Sequence, residues 1–470
     1  MNIFRLFKSG LSLRLVNVAG LSVVFASMVV SAGYIKRELS YDRHHTESHR
    51  IVRLTSQTDD LPVDGRIWGN GLDDLLEQVP EIEKTAKMRQ VGSAILTSQG
   101  ESRIVNNFYQ VNRHFLQVFD LPLVEGYKEE ALQQSGQVLI SESFAKQLFG
   151  DKDIAEVLHS ELSIESQWLG DSIVFVSGIF KDVPQTSHFQ TDILLHLPEE
   201  GWAISYTYLL LKEHTDIDAL SMKMNQLIQE REESSLTKTR LLLMPLTDIH
   251  LHSHNLREMS VNGNITYIWL IIGANLLLLT VALFNLWLNA NLIFIFHRRY
   301  YQLLRLHGAP PSVVFKDELF LALLLGAFSI VLGLLLLLFG KFPVLFSPLD
   351  IGLWTLLFLS IVVAVSLFPL FKSLSSTLFL NTNHDVRPLR FSYKNVQFML
   401  TAQYAVVMVV VILAFGIYKQ MNLVKDSQVG GDDPNILVLK EQPWQMQMKY
   451  AQLKSELLKY PQIEAVTASF

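Results

Sequence analysis

Histidine is the residue type in this chain with most chemical potential, because an imidazole can bind a metal or exchange a proton near neutral pH. Two stretches concentrate it. In "ELSYDRHHTESHRIVRL", residues 38–54, His44, His45 and His49 stand so that His45 and His49 would lie one helical turn apart, a spacing that can hold zinc. In "DIHLHSHN", residues 248–255, His250, His252 and His254 alternate close to Asp248 and would project from one face of a strand. Three imidazoles on one face make a zinc or copper set. Three in-line strand positions splay wider than tetrahedral zinc wants, so packed or hydrogen-bonded histidines are the favoured reading of both stretches.

Other chemistry is limited by what is missing. There is no cysteine, hence neither disulfide nor thiolate metal site. No G-x-x-x-x-G-K-[ST] loop, G-x-S-x-G elbow or H-E-x-x-H helix occurs in the chain. Any ATP that the protein uses must therefore be hydrolysed by a partner, and no catalytic constellation is expected. A net charge of −6 without a long basic tract argues against nucleic acid binding.

The elements that must position these residues are set by hydropathy. The 470-residue chain has a mean hydropathy of +0.26, high for a soluble protein, and the apolar residues are clustered. Five runs are long enough to span a bilayer: 15–35, 265–296, 319–340, 351–372 and 396–418. The first could instead be a signal peptide with Val30 and Ala32 flanking the cut, but further spans downstream favour a retained anchor. Lys and Arg fall before the first span, between the second and third, and between the fourth and fifth. Residues 1–14 (an amphipathic N-terminus), 297–318 and 373–395 are thereby expected in the cytoplasm, and 36–264 and 419–470 outside it.

The large outer segment alternates strand-like and helix-like stretches, which predicts an α/β domain with room for two lobes. "RIVRLTSQ" and "DSIVFVSGIF" read as strands, and "SESFAKQLFG" reads as a helix capped by Ser141 and stopped by Gly150. "TYLLLKEHTDIDALSMKMNQLIQEREE" reads as strand, turn and amphipathic helix. A faint repeat joins the two outer segments: Leu76, Pro80, Ile82 and Glu83 match Leu457, Pro461, Ile463 and Glu464 at identical spacing. The expectation is that 419–470 begins a second outer domain and that the chain is a fragment or shortened form of a two-repeat protein.

Inside the second span stand Asn275, Asn285, Asn289 and Asn291, with Asn285 and Asn289 one turn apart. Hydrogen bonding between helices is favoured over a substrate path for these amides. In "HRRYYQLLRLHGAPPSVVFKDELF" the second span should continue through Leu306, break at Gly308 to Pro311, and give way to a helix capped near Ser312. Two short basic and apolar helices facing the cytosol would form a docking knob.

Taken in order, "ELSYDRHHTESHRIVRL", "VLISESFAKQLFGDKD", "VSGIFKDVPQTSHFQTDILL", "TYLLLKEHTDIDAL", "PLTDIHLHSHN" and "GNITYIWL" resemble successive landmarks of the MacB/FtsX-type ABC transporter permeases of Bacteroidetes, over most of residues 5–430. The resemblance implies an α-helical membrane protein with about five spans and an α/β MacB-like periplasmic domain, multi-pass in a bacterial inner membrane with its N-terminus cytoplasmic. It implies that Asp42, Arg43, His45, Arg50 and Ile51 belong to a stalk leaving the membrane, which makes the histidines there ordinary.

It further implies a permease subunit with no cofactor of its own. ATP and Mg would sit on a cytosolic ABC ATPase that docks at Arg298, Arg299, Arg305, Gly308 and Ala309. Pairing as a homodimer or pseudo-dimer, contact with membrane lipid, and a periplasmic adaptor with an outer-membrane channel complete the implied partners. Tyr300 and Gln302 depart from the family's Glu and Gly in the R-E-I-G-I-R-K-x-x-G-A coupling motif. The implied activity is export of peptides, drugs, lipids or lipoproteins. The alternatives are an FtsX-like non-transporting regulator or envelope-signalling protein and, more remotely, a membrane metalloenzyme using His250, His252 and His254.

Overall fold

The computed structural model describes residues 11–59, 61–68, 72–98, 100–150, 152–166, 169–196, 204–230, 239–341, 347–375 and 449–467, with scattered positions between 401 and 437. The chain divides into two compact units, one formed by residues 1–37 and 266–437 and the other by 38–265 and 438–470.

The first unit is helical. Its long helices are Leu11–Glu38, Ile265–Leu306, Pro311–Phe339 and Pro348–Ser375, all long and apolar enough to cross a membrane. The fifth expected span, 396–418, lies largely outside the described residues. The helix from Ile265 is a single rod of 42 residues, about 63 Å at 1.5 Å per residue. It stops where expected: Gly308 takes φ +83°, and the Ala309 N–H donates back to Leu304 O at 3.0 Å, the six-to-one bond of a Schellman ending. The following helix does not cap at Ser312. Pro310 is the cap and Pro311 the first helical residue, because proline has its φ preset and no N–H to lose there.

The second unit is built on one sheet. Its strands are β1 (Ile51–Thr58), β2 (Ile67–Trp68), β3 (Ile82–Ser98), β4 (Glu101–Val111), β5 (Leu123–Glu125), β6 (Gln137–Ser141), β7 (Glu161–Ser166), β8 (Gly170–Phe180), β9 (Ile193–His196), β10 (Ile204–Leu211) and β11 (Thr239–Pro245). The order is β11-β1-β10-β3-β4-β9-β6-β8-β5, with β2 on β10 and β7 bridging β3 and β8. Most pairs are antiparallel; β4 with β9 and β6 with β8 are parallel. The two lobes entertained from the sequence are therefore one sheet with separate helix covers.

At the β1/β10/β11 end, Leu220, Met224 and Ile228 of the helix Ile217–Gln229 pack against Val52, Leu54, Leu209 and Leu241. Asp216 caps that helix, accepting from Asp218 N at 3.0 Å and Ala219 N at 3.1 Å. At the other end, the helix Glu142–Phe149 buries Phe144, Ala145, Leu148 and Phe149, each large apolar side chain contributing about 1.5–3 kcal/mol. Ser141 caps it, accepting from Phe144 N at 3.2 Å, and Gly150 ends it at φ +66°. On β8, buried Val174 and Val176 alternate with exposed Ile173 and Phe175, the period of a half-covered strand.

The two matched stretches share a local turn. Backbone bonds Glu77 N to Asp73 O, Gln78 N to Leu75 O, Val79 N to Leu76 O and Ile82 N to Val79 O recur as Leu458 to Lys454, Lys459 to Glu456, Tyr460 to Leu457 and Ile463 to Tyr460. Both copies are the end of a helix turning through a proline. In the first copy Leu75, Leu76 and Val79 are buried, while the second helix, Tyr450–Leu457, buries nothing.

Candidate functional site

The outer unit begins at Glu38, where the first helix ends. Residues 39–50 then form turns, not the helix that would set His45 and His49 one above the other. Asp42 shows why. It sits at φ +58°, its N–H donating to Thr186 O at 2.8 Å. Its buried carboxylate accepts from Ser187 Oγ and His188 N, both at 3.1 Å, and lies 2.8 Å from His188 Nδ1. The other imidazole nitrogen, His188 Nε2, is 2.7 Å from Tyr208 Oη on β10. Burial opposes the Asp42 charge, but the charge and hydrogen bonds of His188 outweigh it and hold the carboxyl below its usual range. Complete burial pushes the Tyr208 phenol well up.

The three histidines of this stretch go to different places. His45 is buried, its Nδ1 accepting from Asp120 N at 3.1 Å and its ring meeting Phe119 edge-on at 5.2 Å. Burial, reinforced by His44, lowers its pKa to about 4. His44 is exposed. His49 lies with Glu47 and Glu213, close enough for the three to share a cation. The Arg50 guanidinium already serves those carboxylates, its Nε 2.8 Å from Glu47 and 3.7 Å from Glu213.

At the unit's other end, "DIHLHSHN" is not a strand. Pro245 ends β11, Leu246–Asp248 is a 3-10 turn and Ile249–His252 an α-helical turn, which places Leu246 and Ile249 together in the core. That turn separates the three imidazoles. His250 is buried, 2.8 Å from Glu38 Oε2 through its Nε2 and stacked flat on Tyr41 at 3.3 Å, while His252 and His254 are exposed. Among the described residues, the only group with metal-binding proximity is Glu47, His49 and Glu213, which contains none of these three.

The segment running from there to the second long helix is stitched to the sheet. Arg53 on β1 is fully buried and grips Glu258 with both ends of its guanidinium, at 2.7 Å each, and Ser253 Oγ at 2.8 Å. Burial pushes the Glu258 carboxyl up, but the Arg53 hydrogen bonds prevail and hold it below its usual range. Ser260 Oγ donates to His188 O at 2.9 Å, Asn262 Nδ2 to Ser253 O at 2.8 Å and Tyr206 Oη to Arg257 O at 2.7 Å. The start and end of the outer unit are thus locked to the same sheet by buried ionic and polar groups. Arg53, Glu258, His188 and Tyr208 do not stand out in the sequence; the available sign is an arginine set between Val52 and Leu54 in the apolar start of β1.

In the helical unit, Arg298, Arg299 and Arg305 lie on the last three turns of the long rod, their side chains outside the described ones, and Gly308 and Ala309 form its Schellman ending. The inner face of these turns is polar. Tyr301 is fully buried and donates to Glu318, which also lies 3.2 Å from His297 Nδ1. Tyr301 packs with Val314, Leu367 and Leu370, with Tyr300 alongside. Leu303 and Leu306 remain exposed.

Two asparagines of the rod pair with the first helix. Asn275 Oδ1 accepts from Ser27 Oγ at 3.1 Å and its Nδ2 donates to Ser31 Oγ at 2.9 Å, while Asn289 Nδ2 donates to Asn17 Oδ1 at 2.7 Å. Asn291 bonds within its own helix, to Trp287 O at 2.7 Å. Asn285 is half-buried and makes no side-chain hydrogen bond among the described residues.

Residues 15–227 match the family model described as the MacB-like periplasmic core domain. The chain therefore carries a MacB-like periplasmic domain of α/β fold alongside four helices fit to cross a membrane. No curated protein matches it. Similar solved structures include a domain of a permease protein from Porphyromonas gingivalis, 21% identical over 43% of this chain and 92% of that one with a TM-score of 0.36. The periplasmic region of MacB from Actinobacillus actinomycetemcomitans is 13% identical over 43% and 91%, at 0.32. The extracellular domain of the noncanonic ABC-type transporter YknZ from Gram-positive bacteria is 14% identical over 41% and 99%, at 0.31.

Proposed function

We propose that this chain is the permease subunit of an ABC transporter, converting ATP hydrolysis on a separate cytosolic ATPase into movement of its periplasmic domain. The observation that carries the reading is the unbroken helix Ile265–Leu306. It starts where the stitched periplasmic segment ends, runs through an apolar span, and finishes in turns bearing Arg298, Arg299 and Arg305. A continuous helix transmits a push at one end to the other, because its backbone hydrogen bonds leave it no internal joint. In this reading the turn around Gly308 and Ala309 receives the ATPase, and the Arg53–Glu258 and Glu38–His250 locks receive the motion.

In this reading the nucleotide site and the catalytic groups lie on the partner. ATP and Mg belong to the partner. Two copies, or this chain with a related one, present a pair of coupling turns to a pair of ATPases in the inner membrane, the N-terminus cytoplasmic. An adaptor and an outer-membrane channel would receive what the periplasmic domain delivers: a peptide, drug, lipid or lipoprotein. Tyr300 and Gln302 favour a second reading, an FtsX-like regulator that uses the same machinery without transport. Reconstitution with the co-purified ATPase separates them. ATPase stimulation together with vectorial release of a loaded compound supports export, and stimulation without release supports regulation.

A further inference from the structure

Four polar side chains from three different helices line one small, half-open pocket of the helical unit. Arg14 and Asn17 come from the first helix, Glu318 from the third and Ser366 from the fourth; Leu286 and Phe294 of the long rod help to line a space of about 40 Å3. Asn17, 5% exposed, spends its Oδ1 on Asn289, but its Nδ2 is buried without a hydrogen-bond partner among the described residues, and so is Ser366 Oγ. A buried donor left unspent is costly, and helix bundles avoid it unless something meets the group.

The chemistry of the wall selects what that something is. Arg14 and Glu318 place both signs of charge on the same cavity, so neither an anion nor a metal cation is favoured there. The fitting ligand is small, neutral, and able both to accept from an amide and to exchange a hydrogen bond with a hydroxyl. Water has those properties, and a site needs only about 10–15 Å3 on this measure to hold one molecule.

We propose that this cavity is a built hydration site, in which ordered water accepts from Asn17 Nδ2, bonds Ser366 Oγ and joins both to the polar cluster around Glu318. Through Tyr301 and His297 that cluster reaches the last turns of the long rod. The water therefore makes a bridged joint between all four helices just before the Gly308 turn. A water-mediated joint holds nearly as well as a direct hydrogen bond and is exchangeable, which lets the turn shift without breaking ion pairs. The site does not depend on whether the protein exports or regulates.

X-ray hydroxyl-radical footprinting of the full chain in lipid nanodiscs tests this directly, since radicals form at bound water. Leu286, which is 2% exposed and lines the cavity, should label at least several-fold faster than Phe358 and Val362, which are 2% and 0% exposed and do not line it. Ser366→Val should reduce the Leu286 labelling several-fold. Equal labelling of Leu286 and Val362 in the unmodified protein would overturn the proposal whether or not the variant folds. Unchanged Leu286 labelling in a folded Ser366→Val variant would overturn it too.

Discussion

Glu38 Oε2 and His250 Nε2 are 2.8 Å apart although 212 residues separate them in the chain, and Gly263 fits over both. A Cβ at Gly263 would fall 2.8 Å from the carboxylate oxygen and 2.9 Å from the imidazole nitrogen. Gly263→Ala should therefore destabilise the periplasmic unit by about 1–3 kcal/mol, the usual cost of overfilling a packed site. His252→Ala and His254→Ala, at exposed positions, should stay within about 0.5 kcal/mol of wild type. Thermal unfolding of the three variants is the check; equal losses would mean that the glycine is not clamping the pair.

The buried Arg53–Glu258 grip predicts an asymmetry. Glu258→Ala leaves a fully buried guanidinium with its charge uncompensated, at a cost of about 3–5 kcal/mol. Replacing both partners, Arg53→Met with Glu258→Leu, removes the charge with the contact and should recover much of that loss. Denaturant unfolding of the single and double variants measures the difference. A double variant as unstable as the single would show that the loss lies in packing.

His45 predicts a pH dependence. Its pKa is about 4 when folded, against 6.5 when free, so between those values the unfolded chain holds a proton that the folded chain does not. Stability must then rise with pH across this window and be lost as pH falls from about 6.5 to about 4, by roughly 3 kcal/mol in total. Asp42 acts in the same direction further down. Its carboxyl is held below 3.8, so its contribution is present above that pH and fades as pH drops through the folded value. Melting temperatures from pH 7 to pH 4, compared between wild type and His45→Gln, test the assignment; an unaltered profile in the variant would place the titration elsewhere.

Close approach of the first and third long helices rests on Gly333, where a Cβ would meet Phe25 Cδ1 at 2.8 Å and Ser22 O at 2.9 Å. Small residues let membrane helices pack this tightly. Gly333→Val should lower the melting temperature of the detergent-extracted chain by several degrees. Gly352→Ala, where no described atom lies within 4 Å, should leave it unchanged or raise it slightly. Loss in both would show that the drop does not come from the Gly333 contact, since Ala and Val are both better helix formers than Gly.

What the sequence reveals here is what local physics controls. Apolar length marks the long helices, strand composition finds β1, β8 and β10, and Ser141, Gly150 and Gly308 stop or start helices as their chemistry requires. The match of Leu76 and Pro80 to Leu457 and Pro461 corresponds to the same four backbone hydrogen bonds. "DIHLHSHN" misleads because alternating histidines imitate a strand, whereas the burial of Leu246 and Ile249 after Pro245 winds the segment into a helical turn. The candidate locks were illegible for a different reason. Asp42 and His188 are 146 residues apart and Arg53 and Glu258 are 205 apart, and nothing in either local sequence names its partner.

Coupling at the Gly308 turn is the claim on which the functional account stands. The most direct measurement is the ATPase rate of whatever P-loop ATPase co-purifies with the intact membrane-extracted chain, assayed beside the double variant Arg299→Glu, Arg305→Glu. The account predicts a co-purifying ATPase that the wild-type chain stimulates, and loss of most of that stimulation in a variant that still inserts normally, because charge reversal at a docking surface repels its partner. A chain that emerges without an ATPase, or stimulation that the double variant leaves intact, would contradict it.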